Sequence, residues 1–227
     1  MKYSSVGIYL YRIATAHSLF PGYRWLHEHS KILHRDISLN NLMLRKEGGN
    51  VYAVLNDLDL AVNVDAQGQS SKHRTGTKPF MAIDLLGGDP TVHLYRHDLE
   101  SLFYVLVWII TRYHNGKEIT NPPLQDWAGS DHRDLLKTKA LFLLEGSPEP
   151  TDNFKSFRGH VSDMRTMFQG GHSARRKAIK DSKYKAESQG GPGTSHFTYD
   201  TLGGSVTFDT FQRILDACLD SATLGSD

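Results

Sequence analysis

The sequence predicts a mainly helical α+β fold with one β-hairpin, and three patterns support this prediction. Residues Tyr95 to Tyr113 are apolar nearly all round, which is typical of a helix in the middle of a domain. Two short apolar segments, Leu42 to Leu44 and Val51 to Leu55, flank the turn sequence RKEGGN, which favours a hairpin. The apolar positions of Phe208 to Leu219 recur with helical spacing and predict a last amphipathic helix.

The chain is expected to divide into four segments. These are an atypical N-terminal segment (1–22), a core (23–169), an exposed low-order insertion (170–196) and a helical segment that packs back on the core (197–227). A helical pattern over Val6 to Phe20 is expected to stop at Pro21 and Gly22, because proline lacks a backbone donor and glycine tolerates helix-ending conformations. A short second helix then ends near His29.

The insertion is predicted because glycine occurs at both of its ends and few of its residues could be buried. Within the core, Asp131 is expected to cap a helix that spans Leu135 to Leu144. The polar stretch from Val62 to Gly76 has few apolar anchors, so it predicts a mobile loop, with order resuming near Thr77.

Composition excludes several classes of protein. The 227 residues carry a formal net charge of +1, so no general attraction to nucleic acid or anionic membrane is expected. The longest apolar run, Leu102 to Ile110, is too short to cross a bilayer. A single cysteine, Cys218, excludes an intramolecular disulfide and favours an intracellular setting, cytoplasmic or nuclear. The basic run Arg175 to Lys185 is interpreted as a solvated loop, since no aromatic residues or nucleic-acid-binding motif accompany it.

Three oxygen-bearing side chains are placed by the predicted hairpin at one edge of the fold. Asp36 and Asn41 come just before the hairpin, and Asp57 comes just after it. Magnesium bound to ATP takes one or two protein oxygens, which Asn41 and Asp57 can supply. Asp36 then remains free to orient a substrate hydroxyl and accept its proton. The order and context of these residues predict a site for magnesium, ATP and phosphoryl transfer.

Three motifs carry a resemblance to a known family. The sequence reads LHRDIS at 33–38, DLDLA at 57–61 and HDLESLFYVL at 97–106. Together they resemble the C-terminal lobe of a eukaryotic protein kinase, and most closely the fungal-type protein kinase-like family. The resemblance implies a helical lobe with a catalytic hairpin, ATP and Mg²⁺ as cofactors, and transfer of phosphate to serine or threonine of a protein substrate.

The resemblance also implies roles for individual residues. Asp36 corresponds to the catalytic aspartate, and Asn41 and Asp57 correspond to the magnesium and nucleotide ligands. Met43 corresponds to the apolar floor under adenine, and Thr77 to the residue that contacts the catalytic loop. His34 and Asp98 correspond to structural support for that loop. Arg35 stands where a phosphorylated activation loop often pairs with arginine. The acceptors available for such a phosphate are Ser70, Ser71 and Thr75, although an unmodified polar loop is an equal alternative.

Several positions depart from the kinase pattern. Ser38 replaces a lysine that helps to neutralise the transferring phosphoryl group, a replacement that the fungal-type family shares. Leu58 and Asp59 replace phenylalanine and glycine, and Ile83-Asp84 replaces Pro-Glu. The chain contains no Gly-x-Gly-x-x-Gly loop, so the ATP-binding lobe is expected to be missing, through a gene-model error or in a natural fragment.

These departures leave two alternatives to an active protein kinase. One is a non-catalytic pseudokinase fragment that acts as a binding or scaffold module. The other is a small-molecule phosphotransferase of the aminoglycoside-kinase type, which shares the spacing of Asp36 and Asn41. This second alternative is disfavoured by Arg35, where such enzymes tend to have glycine, and by the activation segment around Thr77.

Overall fold

A computed structural model describes most of the chain. The described residues are 19–47, 50–65, 75–87, 92–189 and 197–223, and every structural statement below concerns them. Helices surround one buried central helix, and three small two-stranded antiparallel sheets lie among them. The predicted mainly helical α+β fold is confirmed.

The first helix, α1, covers residues 19–30 and runs through Pro21 and Gly22, so the predicted break at this pair is wrong. Tertiary packing accounts for the continuity. The ring of Phe20 is completely buried and stacks on Phe211, with 5.3 Å between ring centroids. The free energy gained by burying this aromatic ring exceeds the cost of placing proline and glycine in a helix. The earlier part of the predicted pattern lies outside the described residues.

The predicted hairpin is confirmed, with longer strands than expected. Strands β2 (Leu42–Glu47) and β3 (Asn50–Leu55) pair antiparallel, with Leu42 opposite Leu55 and Glu47 opposite Asn50. The hydrogen-bonded register holds both strand ends at a fixed separation. The hairpin therefore brings the residues before β2 and those after β3 to the same end.

The prediction of a loop over residues 62–76 is wrong for its first residues, which form a strand. Strand β1 (Ile32–Leu33) pairs antiparallel with β4 (Val62–Asn63), and Val64 N–H donates to the carbonyl of Lys31 at 2.7 Å. A two-residue strand has no readable periodicity, so this pairing gives no signal in the sequence. Residues 66–74 of the predicted loop lie outside the described residues.

Helix α3 (Tyr95–Arg112) is the central helix, and every residue from Arg96 to Arg112 is buried, as its apolar sequence predicts. The remaining elements are α2 (Ile83–Leu86), β5 (Tyr113–His114), β6 (Lys117–Glu118), α4 (Asp126–Gly129), α5 (His132–Glu145), α6 (Arg158–Gln189) and α7 (Phe208–Thr223). The cap of α5 is confirmed, because the Asp131 side chain accepts the Asp134 N–H. Among the described helices, none combines the length and the apolar character needed to cross a bilayer.

Helix α6 overturns the predicted low-order insertion over residues 170–189. It is continuous for 32 residues and passes through Gly170 and Gly171. Its first half is held by buried Met164 and Phe168, and this anchoring carries the helix past the two glycines. Most of residues 173–184 are exposed, as predicted, but the segment is helical, and the basic run lies on a helix instead of a loop. Residues 190–196 lie outside the described residues.

Alanine substitutions at the two adjacent glycines of α6 are expected to have opposite effects on stability. A Cβ at Gly171 would lie 2.8 Å from the Cβ of buried Leu202, whereas a Cβ at Gly170 would meet nothing within 4 Å. We expect Gly171→Ala to lower the free energy of unfolding by about 1–3 kcal/mol through overpacking. The matched control, Gly170→Ala, should raise it by roughly 0.5–1 kcal/mol through helix propensity. Urea titration measures both, and equal stabilisation by the two variants would contradict the contact between α6 and Leu202.

Candidate active site

The candidate site lies at the end of the β2–β3 hairpin. Residues 34–38 connect β1 to a short 3₁₀ helix, Leu39–Asn41, which leads directly into β2. On the other strand, Asn56 N–H donates to the Asn41 carbonyl at 2.9 Å, which extends the pairing past Leu55. Asp57 is the next residue, so the hairpin places it beside the segment that contains Asp36 and Asn41, as the sequence predicts.

The Asp36 carboxylate is held by two other predicted site residues. Thr77 donates to Asp36 Oδ1 from both its backbone N–H and its Oγ1 hydroxyl, each at 2.7 Å. Asn41 Nδ2 donates to Asp36 Oδ2 at 3.1 Å and to the Asp36 carbonyl at 2.9 Å. Three donors on one carboxylate leave it little rotational freedom. The structure therefore brings Asp36, Asn41 and Thr77 together in a single hydrogen-bonded group.

These hydrogen bonds also determine which oxygen atoms are available to bind magnesium. Because both bonds of the Asn41 amide come from Nδ2, they fix the orientation of the amide and leave Oδ1 directed away from Asp36. Asp57 is exposed and has a φ of +64°, and its Oδ1 accepts the Asp59 N–H at 3.4 Å. An amide oxygen and an exposed carboxylate are hard ligands of the kind that Mg²⁺ prefers. The two residues therefore fit the magnesium role predicted for them.

Asp98 holds the backbone of the loop that precedes Asp36, in the position predicted for it. Its completely buried carboxylate accepts the N–H groups of His34 at 2.9 Å and Arg35 at 3.1 Å. It also accepts the Tyr23 hydroxyl at 2.7 Å and His93 Nε2 at 2.8 Å. Burial raises the pKa of Asp98, but His93 and the Tyr23 hydroxyl lower it by more, so the net shift is downward and the carboxylate is ionised.

Asp98 stabilises a strained backbone conformation at Arg35. Arg35 has a φ of +69°, in the left-handed region that is unfavourable for a side chain with a Cβ. The hydrogen bond that the Arg35 N–H donates to Asp98 Oδ1 stabilises this conformation. The Arg35 side chain is largely buried, and burial lowers its pKa.

His34 ties the same loop to the end of strand β3. Its ring is completely buried, and Nε2 donates to the Asn56 carbonyl at 3.0 Å. Nδ1 then accepts the Asp36 N–H at 3.3 Å, which a neutral ring protonated on Nε2 allows. The supporting position predicted for His34 is therefore observed, between Asp36 and the residue before Asp57.

The remaining predicted residues are Met43 and the proposed phosphate acceptors. Met43 is on β2 opposite Val54, and its side chain is 51% exposed, so it offers a free apolar surface next to the site. Of the proposed phosphate acceptors, Ser70 and Ser71 lie outside the described residues. The Thr75 hydroxyl is buried, which makes it a poor acceptor in this conformation.

Sequence reasoning missed three residues that shape the site. Gly76 has a φ of +117°, and a Cβ there would lie 3.2 Å from the Arg35 carbonyl oxygen, so only glycine lets Thr77 reach Asp36. The Gly76 next to Thr77 in the sequence TGT is a local signal for this turn. Tyr23 reaches Asp98 from 75 residues away in the sequence, and His93 reaches it from five residues away, but neither residue belongs to a motif that identifies it.

Comparison with known proteins supports the resemblance found in the sequence. Residues 16–110 match the sequence profile of the family described as fungal protein kinase. This match confirms the fungal-type kinase-like character of that segment. One solved structure, a chain of the yeast RNA Pol II CTD kinase CTDK-1 complex, is similar over 65% of this chain, with 22% identity and a TM-score of 0.42. The similarity spans 45% of that chain, less than half of its length. No curated protein matches.

Proposed function

We propose, from the premise that residues 16–110 match fungal protein kinases, that this site transfers the γ-phosphoryl group of ATP to a serine or threonine hydroxyl of a protein substrate. The observation that carries the proposal is the Asp36 carboxylate, held by Thr77 and Asn41 at the end of the hairpin. Phosphoryl transfer depends mostly on positioning and charge stabilisation, and a fixed carboxylate supplies positioning.

The free acceptor capacity of Asp36 supports a role in orienting the substrate. Each carboxylate oxygen has about two lone pairs. Thr77 directs two donors to Oδ1, whereas Asn41 directs one donor to Oδ2. Oδ2 therefore retains capacity to accept the hydrogen of an incoming hydroxyl. Asp36 would hold that hydroxyl toward the phosphorus and take up its proton as the new bond forms.

Asn41 and Asp57 are the residues that would hold a magnesium–ATP complex. Asn41 contributes Oδ1, whose direction is fixed by the two Nδ2 bonds to Asp36, and Asp57 contributes an exposed carboxylate. When bound, magnesium neutralises negative charge on the phosphates. The position normally taken by lysine is Ser38, which is 1% exposed and carries no charge, so this chain places more of the charge stabilisation on Asn41 and Asp57.

One observation favours the alternative of a non-catalytic binding module. Among its described residues, the β2–β3 hairpin exposes four large apolar side chains: Met43 (51%), Leu44 (38%), Tyr52 (45%) and Val54 (38%). An apolar surface of this kind is typical of a place where another protein packs. A scaffold could use this surface without any transfer of phosphate.

Nucleotide binding separates the two functions. We expect ATP with Mg²⁺ to raise the melting temperature of the full chain, because a ligand that binds only the folded state stabilises it by about 1.4 kcal/mol at ten times its Kd. Asp57→Asn should remove most of this shift, since it removes the charged magnesium ligand. The matched control is Asp59→Asn, which changes an exposed aspartate two residues away and should retain the shift. No shift at millimolar ATP would favour the scaffold function.

A further inference from the structure

A second cavity lies between helices α2, α5 and α6, and none of its lining residues belongs to the Asp36 site. Its volume is about 270 Å³, enough for one or two amino-acid side chains. Helix α5 provides an apolar wall through Leu136, Ala140, Leu143 and Leu144. Leu144 is 55% exposed, so the cavity opens to the surface at this residue. The shape and the wall suit an apolar side chain.

The opposite wall of the cavity is positively charged. It contains Arg175 and Arg176 on α6, and one carboxylate, Asp84. Asp84 is already paired, with Arg96 at 2.6 Å behind the cavity and with Arg175 at 3.2 Å. Burial raises the pKa of Asp84, but His97 and Arg96 lower it by more, so the net pKa is well below its usual range and the group is ionised. With one carboxylate shared between two arginines, the wall has excess positive charge.

The arginines of this wall retain hydrogen-bonding capacity. The Nε atom of Arg175 is buried and has no hydrogen-bond partner among the described residues. A buried donor without a partner is unfavourable. Arg176 is exposed and donates to Ser173 Oγ at 3.1 Å, which leaves most of its five N–H groups for a ligand.

The positive charge continues along α6 beyond the cavity. Residues 173–184 contain five basic side chains and one acidic side chain, and most of this stretch is exposed. From Arg176 to Lys183 the helix rises about 10 Å, at 1.5 Å per residue. A small free carboxylate would contact only the cavity, whereas an extended acidic chain would contact both the cavity and this basic surface. Charge complementarity therefore favours a peptide.

We propose that this cavity docks an acidic peptide segment of a partner protein. An apolar side chain of the segment fills the space beside Leu144 and Ala140, and a neighbouring aspartate or glutamate pairs with Arg176. Further acidic residues of the segment lie along the basic surface of α6. The interaction needs neither ATP nor magnesium, so it stands or falls independently of the phosphotransfer proposed above.

Selection from a random 12-residue peptide library displayed on phage, against the full chain, tests the proposal. We expect enriched peptides to contain leucine, isoleucine, phenylalanine or methionine next to aspartate or glutamate. A fluorescent synthetic copy of an enriched peptide should bind in anisotropy measurements. Leu144→Ser and Arg176→Gln should each weaken its binding about tenfold, which corresponds to roughly 1.4 kcal/mol.

Two variants of exposed residues on helix α5 serve as matched controls. Leu141→Ser changes a leucine that is 50% exposed but does not line the cavity, and Arg133→Gln changes an exposed arginine away from it. Both controls should bind the peptide like the unaltered chain. The proposal is overturned if no peptides are enriched, if the enriched peptides lack acidic residues, or if the controls lose binding equally. Displacement of the peptide by a 12-nucleotide single-stranded RNA would also overturn it, in favour of a nucleic-acid surface.

Discussion

Asp98→Ala is expected to lower the free energy of unfolding by about 3–5 kcal/mol, the range for removing one partner of a buried charged network. The carboxylate is completely buried and accepts four donors, from Tyr23, His34, Arg35 and His93. Alanine leaves these donors without an acceptor and releases the left-handed conformation of Arg35. Urea titration at neutral pH measures the loss.

Two comparisons sharpen this prediction. Asp163→Ala removes an exposed aspartate of helix α6 and should change the free energy of unfolding by less than about 0.5 kcal/mol. Because the pKa of Asp98 is lowered in the folded state, its stabilisation is present above the unfolded pKa of about 3.9 and is lost as the pH falls through the folded value. The difference between the wild-type chain and Asp98→Ala should therefore shrink below about pH 4. A difference that grows on acidification would contradict this role for Asp98.

Asp36→Asn is expected to reduce phosphoryl transfer by about 10²–10⁴-fold, the range for a positioned acid–base group. Asparagine keeps the size of the side chain and an acceptor for Thr77, but its neutral amide does not accept the proton of the substrate hydroxyl. The initial rate of transfer from γ-labelled ATP to dephosphorylated casein measures the effect.

The fold of the variant serves as the control for this result. Asn41 keeps its hydrogen bond to the backbone carbonyl of residue 36, and Asp57 is unchanged, so Asp36→Asn should retain the ATP-dependent rise in melting temperature. Loss of both transfer and nucleotide binding would show that the substitution disrupts the site as a whole. Retention of full transfer would remove Asp36 from the proposed mechanism.

The sequence predicted the parts of the structure that local patterns encode. The all-round apolar character of α3, the Asp131 cap of α5 and the turn residues of the hairpin each identified an element. The hairpin then placed Asp57 beside the segment of Asp36 and Asn41, because strand pairing fixes which residues meet.

The parts that were missed depend on contacts between distant residues. Continuity of α6 through Gly170 and Gly171 depends on the packing of buried Phe168 against Phe103, and the helical conformation at Pro21 depends on burial of Phe20 against Phe211. Neither contact is visible in a local window, where glycine and proline predict a break. The same limit applies at the site to Tyr23, which reaches Asp98 across 75 residues of sequence.

Phosphoamino-acid analysis of an acceptor protein tests the central claim most directly. The full chain is incubated with γ-labelled ATP, Mg²⁺ and casein, and the label is recovered after acid hydrolysis. The site described around Asp36 predicts phosphoserine or phosphothreonine with the wild-type chain and a loss of at least about 100-fold with Asp36→Asn. Equal labelling by both proteins, or no labelling by a wild-type chain that binds ATP, would contradict the assignment of this site to phosphoryl transfer.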